Sequence, residues 1–302
     1  MIILVYILFK IDWPQMRNTI GKANLFFIIT ALILNIPLVW FKSTRWQLLL
    51  AMQGHSIKNR DSFLFYSSAI FLGEITPGRL GEFVKAIYLK QAGITNTARG
   101  FSSVLFDRLF DFFLLFILAM FGLITIAPWP NAYIFGWAGI LCAGGMPLLF
   151  LFSDKTERLI SLFYRKILAP KIPEGTQDGV EQFAKGFRKL ISRRLWQAGI
   201  LTCISYALFF FQCFLIAKGL GMPLSYLEII LVMAMTNLFT LLPISISGIG
   251  TREAALLALL RPFGMSLELI FAYSIGVFLV FFIGIGIIGA YAWWVKPFSL
   301  SR

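Results

Sequence analysis

The chain has 302 residues, 59% of them apolar and only 14% charged, with a formal net charge of +13. Soluble domains carry roughly 25% charged residues, so the composition excludes an ordinary soluble enzyme. The basic excess would suggest nucleic acid in a soluble protein, but anionic lipid head groups are the simpler partner here, and no nucleic acid is expected.

Residues 23–41, 112–153, 195–217, 229–251 and 269–295 contain no Asp, Glu, Lys or Arg. About 20 such residues cross a bilayer, so the chain reads as an all-α, multi-pass membrane protein. In chain order, residues 1–9 are apolar, short for a span and without a basic signal-peptide region, and read as a short first helix. The first clear span is 23–41, followed by a basic loop over 42–61 that holds Lys42, Arg45, Lys58 and Arg60. Residues 62–73 are uncharged but too short to cross, and they run into Thr76-Pro77-Gly78-Arg79-Leu80-Gly81-Glu82 and a helix-like 83–90. A Pro-Gly break between two short apolar arms predicts a broken, re-entrant hairpin. Spans follow at 109–127 and 132–152, turned by Pro128-Trp129-Pro130-Asn131.

The hydrophilic stretch 153–196 holds ten Lys/Arg against five Asp/Glu. Within it Phe183, Phe187, Leu190 and Ile191 recur at helical spacing among Lys185, Arg188 and Lys189. That pattern predicts a basic amphipathic helix on anionic lipid head groups. A span at 197–217 precedes a second interrupted region, 226–260, broken at Leu242-Pro243-Ile244-Ser245-Ile246-Ser247-Gly248-Ile249-Gly250. The last span, 269–295, ends at Trp293, Trp294 and Lys296, an interfacial anchor.

With 153–196 in the cytoplasm and the first hairpin entering from that side, inside loops hold 17 Lys/Arg and outside loops five. This follows the positive-inside rule, with both termini cytoplasmic in the inner or plasma membrane. The order span, broken hairpin, span then occurs twice with opposite orientation, over 23–127 and 197–295. The expected architecture is one domain of about six spanning helices and two broken hairpins in an inverted repeat. Alternating-access transporters place substrate at the interface of such repeats.

Charges inside a membrane persist mainly when paired or used. Arg79, Glu82 and Lys85 recur at every third residue after the first break, where Thr76 is a plausible N-cap. Gly78 and Gly81 leave the backbone open to a head group, and free N–H groups of a helix start attract phosphate. Asp107, Arg108 and Asp111 form a second cluster, expected at the mouth of span 109–127 and paired with Arg79 or Lys85. Arg252 and Glu253 form a third. Two carboxylates without His are a poor metal signal, and Cys142, Cys203 and Cys213 lie in apolar runs without CxxC spacing. No cofactor or metal is expected. Gly284-Ile285-Gly286-Ile287-Ile288-Gly289 matches GxGxxG but lies mid-span, so helix packing explains it better than a dinucleotide.

The segments 76–82, Asp107-Arg108-Leu109-Phe110-Asp111 and Ser247-Gly248-Ile249-Gly250-Thr251-Arg252-Glu253 resemble the lysylphosphatidylglycerol synthase transmembrane-region family, as does Arg45-Trp46. This is the flippase-like domain of the multiple peptide resistance factor. The resemblance implies a flippase for a phospholipid, an aminoacylated lipid or a polyprenyl-linked precursor. The broken hairpins and their charges place the expected substrate path through Thr76, Gly78, Arg79, Gly81, Glu82, Lys85, Asp107, Arg108, Asp111, Ser247, Gly250, Arg252 and Glu253. Aminoacyl transfer is not expected of these 302 residues. The competing readings are a transferase on a prenyl-phosphate or phospholipid, with Asp107 and Asp111 on a metal, and a non-catalytic partner of a lipid synthase. A homo-oligomer is compatible with all three.

Overall fold

A computed structural model of the chain describes residues 9–127, 129–141, 176–190, 194–241 and 248–297, and among them every regular element is helical. The expected first helix, 1–9, falls outside the described residues except for Phe9. So do most of the span 132–152, Cys142 and Ser247.

Helix α1 (Trp13–Gly21) is started by Asp12, whose carboxylate accepts the Gln15 N–H at 3.2 Å. It packs Met16 against Phe271. Helix α2 (Leu25–Met52) is 28 residues long and rises about 42 Å, more than the hydrocarbon core requires. The expected loop at 42–61 therefore begins only after Met52. Leu38, Val39, Lys42, Arg45, Trp46, Leu49 and Leu50 are buried along one helical stripe. The periodicity continues through the charges, which is why the helix does too.

Helix α3 (Asn59–Glu74) rises only about 24 Å and stops at the break. A 3₁₀ turn (Pro77–Phe83) and the short α4 (Val84–Gln91) complete the first hairpin. Helix α5 (Thr97–Thr125) starts at Asn96, which accepts the Arg99 N–H at 2.9 Å. It begins twelve residues before the expected span 109–127. Asp107, Arg108 and Asp111 accordingly lie inside the helix and not at its mouth.

After α6 (Ala132–Leu141) comes the amphipathic helix α7 (Thr176–Leu190). The described residues of its apolar stripe, Phe183, Phe187 and Leu190, are buried against the protein. Phe187 stacks edge-on against Phe106 at 5.0 Å, and Leu190 packs with Leu49 and Ala198. Lys185, Arg188 and Lys189 stay exposed.

The second half repeats the order of the first: α8 (Leu195–Gly219), α9 (Tyr226–Leu241), a break, α10 (Thr251–Leu260) and α11 (Leu267–Val295). Helices α2 and α8, which correspond, pack antiparallel. The Asn24 N–H donates to the Gly219 carbonyl at 2.7 Å, Gln212 donates to the Ala31 carbonyl at 2.7 Å, and Arg45 reaches Thr202 at 2.9 Å. Each hairpin's first arm leans on the long last helix of the other half, α3 on α11 and α9 on α5. Gly286 and Gly289 serve this crossing, while Gly284 faces Asn35 and Leu32 of α2. A side chain at Gly289 would collide with Phe71 and the Ser67 carbonyl.

Candidate functional site

The site grows from Arg45, a fully buried guanidinium on α2. Its Nε donates to Asp107 at 2.9 Å and its Nη1 to Asp111 at 2.7 Å. The two carboxylates are four residues apart on α5, so one face of that helix presents both to the planar fork. The second oxygen of Asp107 accepts Lys85 at 3.0 Å, Tyr66 at 3.2 Å and Arg108 at 3.3 Å. Arg108 also reaches Glu82 at 2.8 Å and Asp111 at 3.0 Å. Lys85 is fully buried, 4.2 Å above the Tyr66 ring and 3.5 Å from Glu82. Lys42 joins from α2, 3.6 Å from Asp111 and 4.7 Å over the Tyr206 ring. Each such charge costs about 3 kcal/mol to insert alone, and mutual pairing offsets that cost.

The hairpin break carries the rest. Gly78 and Arg79 adopt left-handed backbone (φ 61° and 57°), a conformation costly for arginine, and Arg79 pairs with Glu74 at 3.1 Å. The Thr76 hydroxyl donates to the Leu72 carbonyl at 2.9 Å and accepts the Gly81 N–H at 2.7 Å. Gly81 itself rests against the Leu72 carbonyl. The expectation that this N–H and Gly81 lie open to phosphate is therefore corrected: Thr76 and Gly81 lock the turn from within. Gly250 is similar, since its N–H is taken by Glu253. Arg252 pairs with Glu253 at 2.8 Å, donates to Ser274 at 2.9 Å and stacks 5.4 Å from the Phe278 ring.

Between the halves lies a cavity of about 440 Å³. Lys42, Glu74, Arg79, Arg108, Asp111 and Arg252 supply its charged lining, with Gly78 beside them. Phe112, Phe209, Phe278 and Phe281 represent its larger apolar part, and Asn237 and Thr240 of α9 add neutral polar groups. Helices α2, α5, α8, α9, α10 and α11 and the first break all contribute. Five sequence-predicted residues thus converge on one space: Gly78, Arg79, Arg108, Asp111 and Arg252. Glu82, Asp107 and Glu253 stand behind this wall and hold its cations, and Lys85 bridges Glu82 and Asp107. Arg79 pairs with Glu74, not with the Asp107 cluster, whereas the expected Lys85–Asp107 pair forms. Lys42, Tyr206, Asn237 and Thr240 were not anticipated as lining, nor was Arg45 as the hub. The one pointer was Arg45-Trp46, an arginine beside a large apolar residue on a stripe that never breaks period.

Residues 1–289 match the lysylphosphatidylglycerol synthase TM region family. A UPF0104 membrane protein of Methanocaldococcus jannaschii is 23% identical over 270 residues, covering 84% of this chain and 80% of that protein. Another, of Pyrococcus horikoshii, is 24% identical over 283 residues, covering 86% and 84%. A third, of Methanothermobacter thermautotrophicus, is 25% identical over 274 residues, covering 82% and 76%. With nearly its full length matched, the chain belongs to the lysylphosphatidylglycerol synthase transmembrane-region family.

Proposed function

We propose that the chain moves a lipid or lipid-linked precursor between leaflets of the inner or plasma membrane, with cytoplasmic termini. The observation that carries this reading is the cavity at the seam of the two halves, lined by four cations and two carboxylates at one part and by apolar, partly aromatic side chains over much of the rest. A phosphate leaving water meets Arg79, Arg108 and Arg252, while acyl or prenyl chains meet phenylalanine. Unpaired in hydrocarbon, that phosphate would cost several kcal/mol. The antiparallel pairing of α2 with α8 is the relation seen in inverted-repeat transporters that expose such a seam alternately. A metal-dependent transferase reading needs Asp107 and Asp111 for a cation, and Arg45, Lys85, Arg108 and Lys42 already engage them.

The test is translocation of tail-labelled lipids in proteoliposomes at matched protein amounts. Arg79→Gln and Arg252→Gln are expected to abolish movement of every lipid that the unaltered protein moves, and unchanged rates in both would overturn the reading. Single cysteines replacing the exposed Asn59 and Asn131 test orientation. Asn59 is expected to label only from the cytoplasmic side and Asn131 only from the outside.

A further inference from the structure

The charges around the cavity do not cancel. The first-hairpin network holds four cations, Lys42, Arg45, Lys85 and Arg108, against three carboxylates, Glu82, Asp107 and Asp111. The other two pairs, Arg79 with Glu74 and Arg252 with Glu253, are each neutral. Among the described residues the cluster therefore keeps one positive charge in excess.

Geometry says where that excess sits. Asp111 takes Arg45 at 2.7 Å and Arg108 at 3.0 Å, leaving Lys42 at 3.6 Å from the same carboxylate. Lys42 rests instead over the Tyr206 ring at 4.7 Å, and it lines the cavity. An ammonium so placed is held but not neutralised, and in a low-dielectric site an unbalanced charge is expensive. We infer that the cavity selects a head group of net charge −1, a singly charged phosphodiester whose other groups are neutral, and that Lys42 sets this preference. A zwitterionic head group would leave the surplus standing, and a dianion would overshoot it. The apolar remainder of the lining favours a lipid over a free anion. This assignment rests on the translocation reading for the lipid's path but not for its binding.

The experiment pairs binding with transport. Tail-labelled phosphatidylglycerol is bound to the purified protein and competed with phosphatidylglycerol, phosphatidylethanolamine, phosphatidylcholine, phosphatidic acid and inorganic phosphate. Phosphatidylglycerol is expected to compete about tenfold better than either zwitterion and to be translocated correspondingly faster. Lys42→Met removes the surplus charge, while Asn237→Asp cancels it from the opposite wall without touching the network. Each is expected to erase the preference, so a folding defect in one leaves the other to decide. Equal competition by the zwitterions, or a preference that survives both substitutions, overturns the inference. Competition by inorganic phosphate as strong as by phosphatidylglycerol overturns it in favour of a soluble-anion site. Charge-selective binding without translocation would uphold the head-group assignment and remove the transport reading. Translocation indifferent to head-group charge would do the reverse.

Discussion

The first hairpin places Glu82 and Lys85 inside a network that also ties Lys42, Arg45, Asp107, Arg108 and Asp111 together, whereas the second holds Arg252 and Glu253 with Ser274. Corresponding elements thus carry very different amounts of buried charge. Displacing the first hairpin separates α4 from α5 and exposes several ion pairs to hydrocarbon at once. Displacing the second breaks, among the described residues, the contacts of Arg252 and Glu253 to Ser274 and of Arg252 to the Phe278 ring of α11, while the Arg252–Glu253 pair stays together on one helix. If the two halves move against each other as proposed above, the difference makes the first half the fixed wall and the second hairpin the moving arm.

The hardest way to break that contrast is at the hub. Arg45→Ala removes the fork that bridges Asp107 and Asp111, leaving Arg108, Lys85 and Lys42 to hold them, and is expected to destabilise the protein by about 3–5 kcal/mol. Arg45→Lys keeps the charge but not the fork and should recover only part of this. The thermal midpoint of the detergent-solubilised protein reads both. A midpoint for Arg45→Ala within error of the unaltered protein would remove the fixed-wall role.

A smaller blow to the same wall is Gly81→Ala. Its methyl group would occupy the position of the Leu72 carbonyl, so the turn must open, at about 1–3 kcal/mol. The Thr76–Gly81 bond should weaken with it. The measurement is again the midpoint, and the loss should fall between those of Arg45→Ala and Arg252→Gln. For the second hairpin, Arg252→Gln leaves Glu253 bonded to Ser274 and to the Gly250 N–H. Its stability cost should be only about 1 kcal/mol, the scale of one hydrogen bond. Its translocation rate is nonetheless expected to vanish. A large drop in midpoint would mean that the second hairpin is as fixed as the first.

The asymmetry was only half legible in the sequence. Asp107, Arg108 and Asp111 announced themselves because spacing within one helix fixes which side chains share a face. The Pro-Gly break announced the first hairpin for the same local reason. Lys42 and Arg45 read as loop because charge ordinarily ends an apolar span, and the partners that bury Arg45 lie 62 and 66 residues away. Nothing within a window of twenty residues reports such a pairing. The apolar stripe of α7 was legible as a period but not in its partner: an amphipathic period shows that one face is covered, not what covers it. Phe106 and Leu49 cover it here.

The smallest expected effect extends the comparison to the water-facing end of the first half. His55, the sole histidine of the chain, sits half-buried in the connection between α2 and α3. Burial, then the neighbouring positive charges of Arg99 and Lys189, push its pKa below the ordinary imidazole value of 6.5. A group with a depressed folded pKa of this kind binds fewer protons folded than unfolded, so stability must rise with pH through its titration. The contribution is complete above pH 6.5 and is lost as the pH falls below it. Acidification should therefore loosen the region where Lys189 bonds the Gln53 carbonyl at 3.4 Å and Gln53 bonds the Gly186 carbonyl at 3.2 Å, which is the seat of α7. The second half has no counterpart to this titration. In practice, protease cleavage within α7 should increase modestly between about pH 7.5 and pH 5.5, in the range where imidazole titrates. His55→Asn should flatten that dependence. An identical pH slope in the two proteins would show that α7 is seated without reference to His55, and the α7 contact would then belong with the pH-insensitive packing of Phe187 on Phe106.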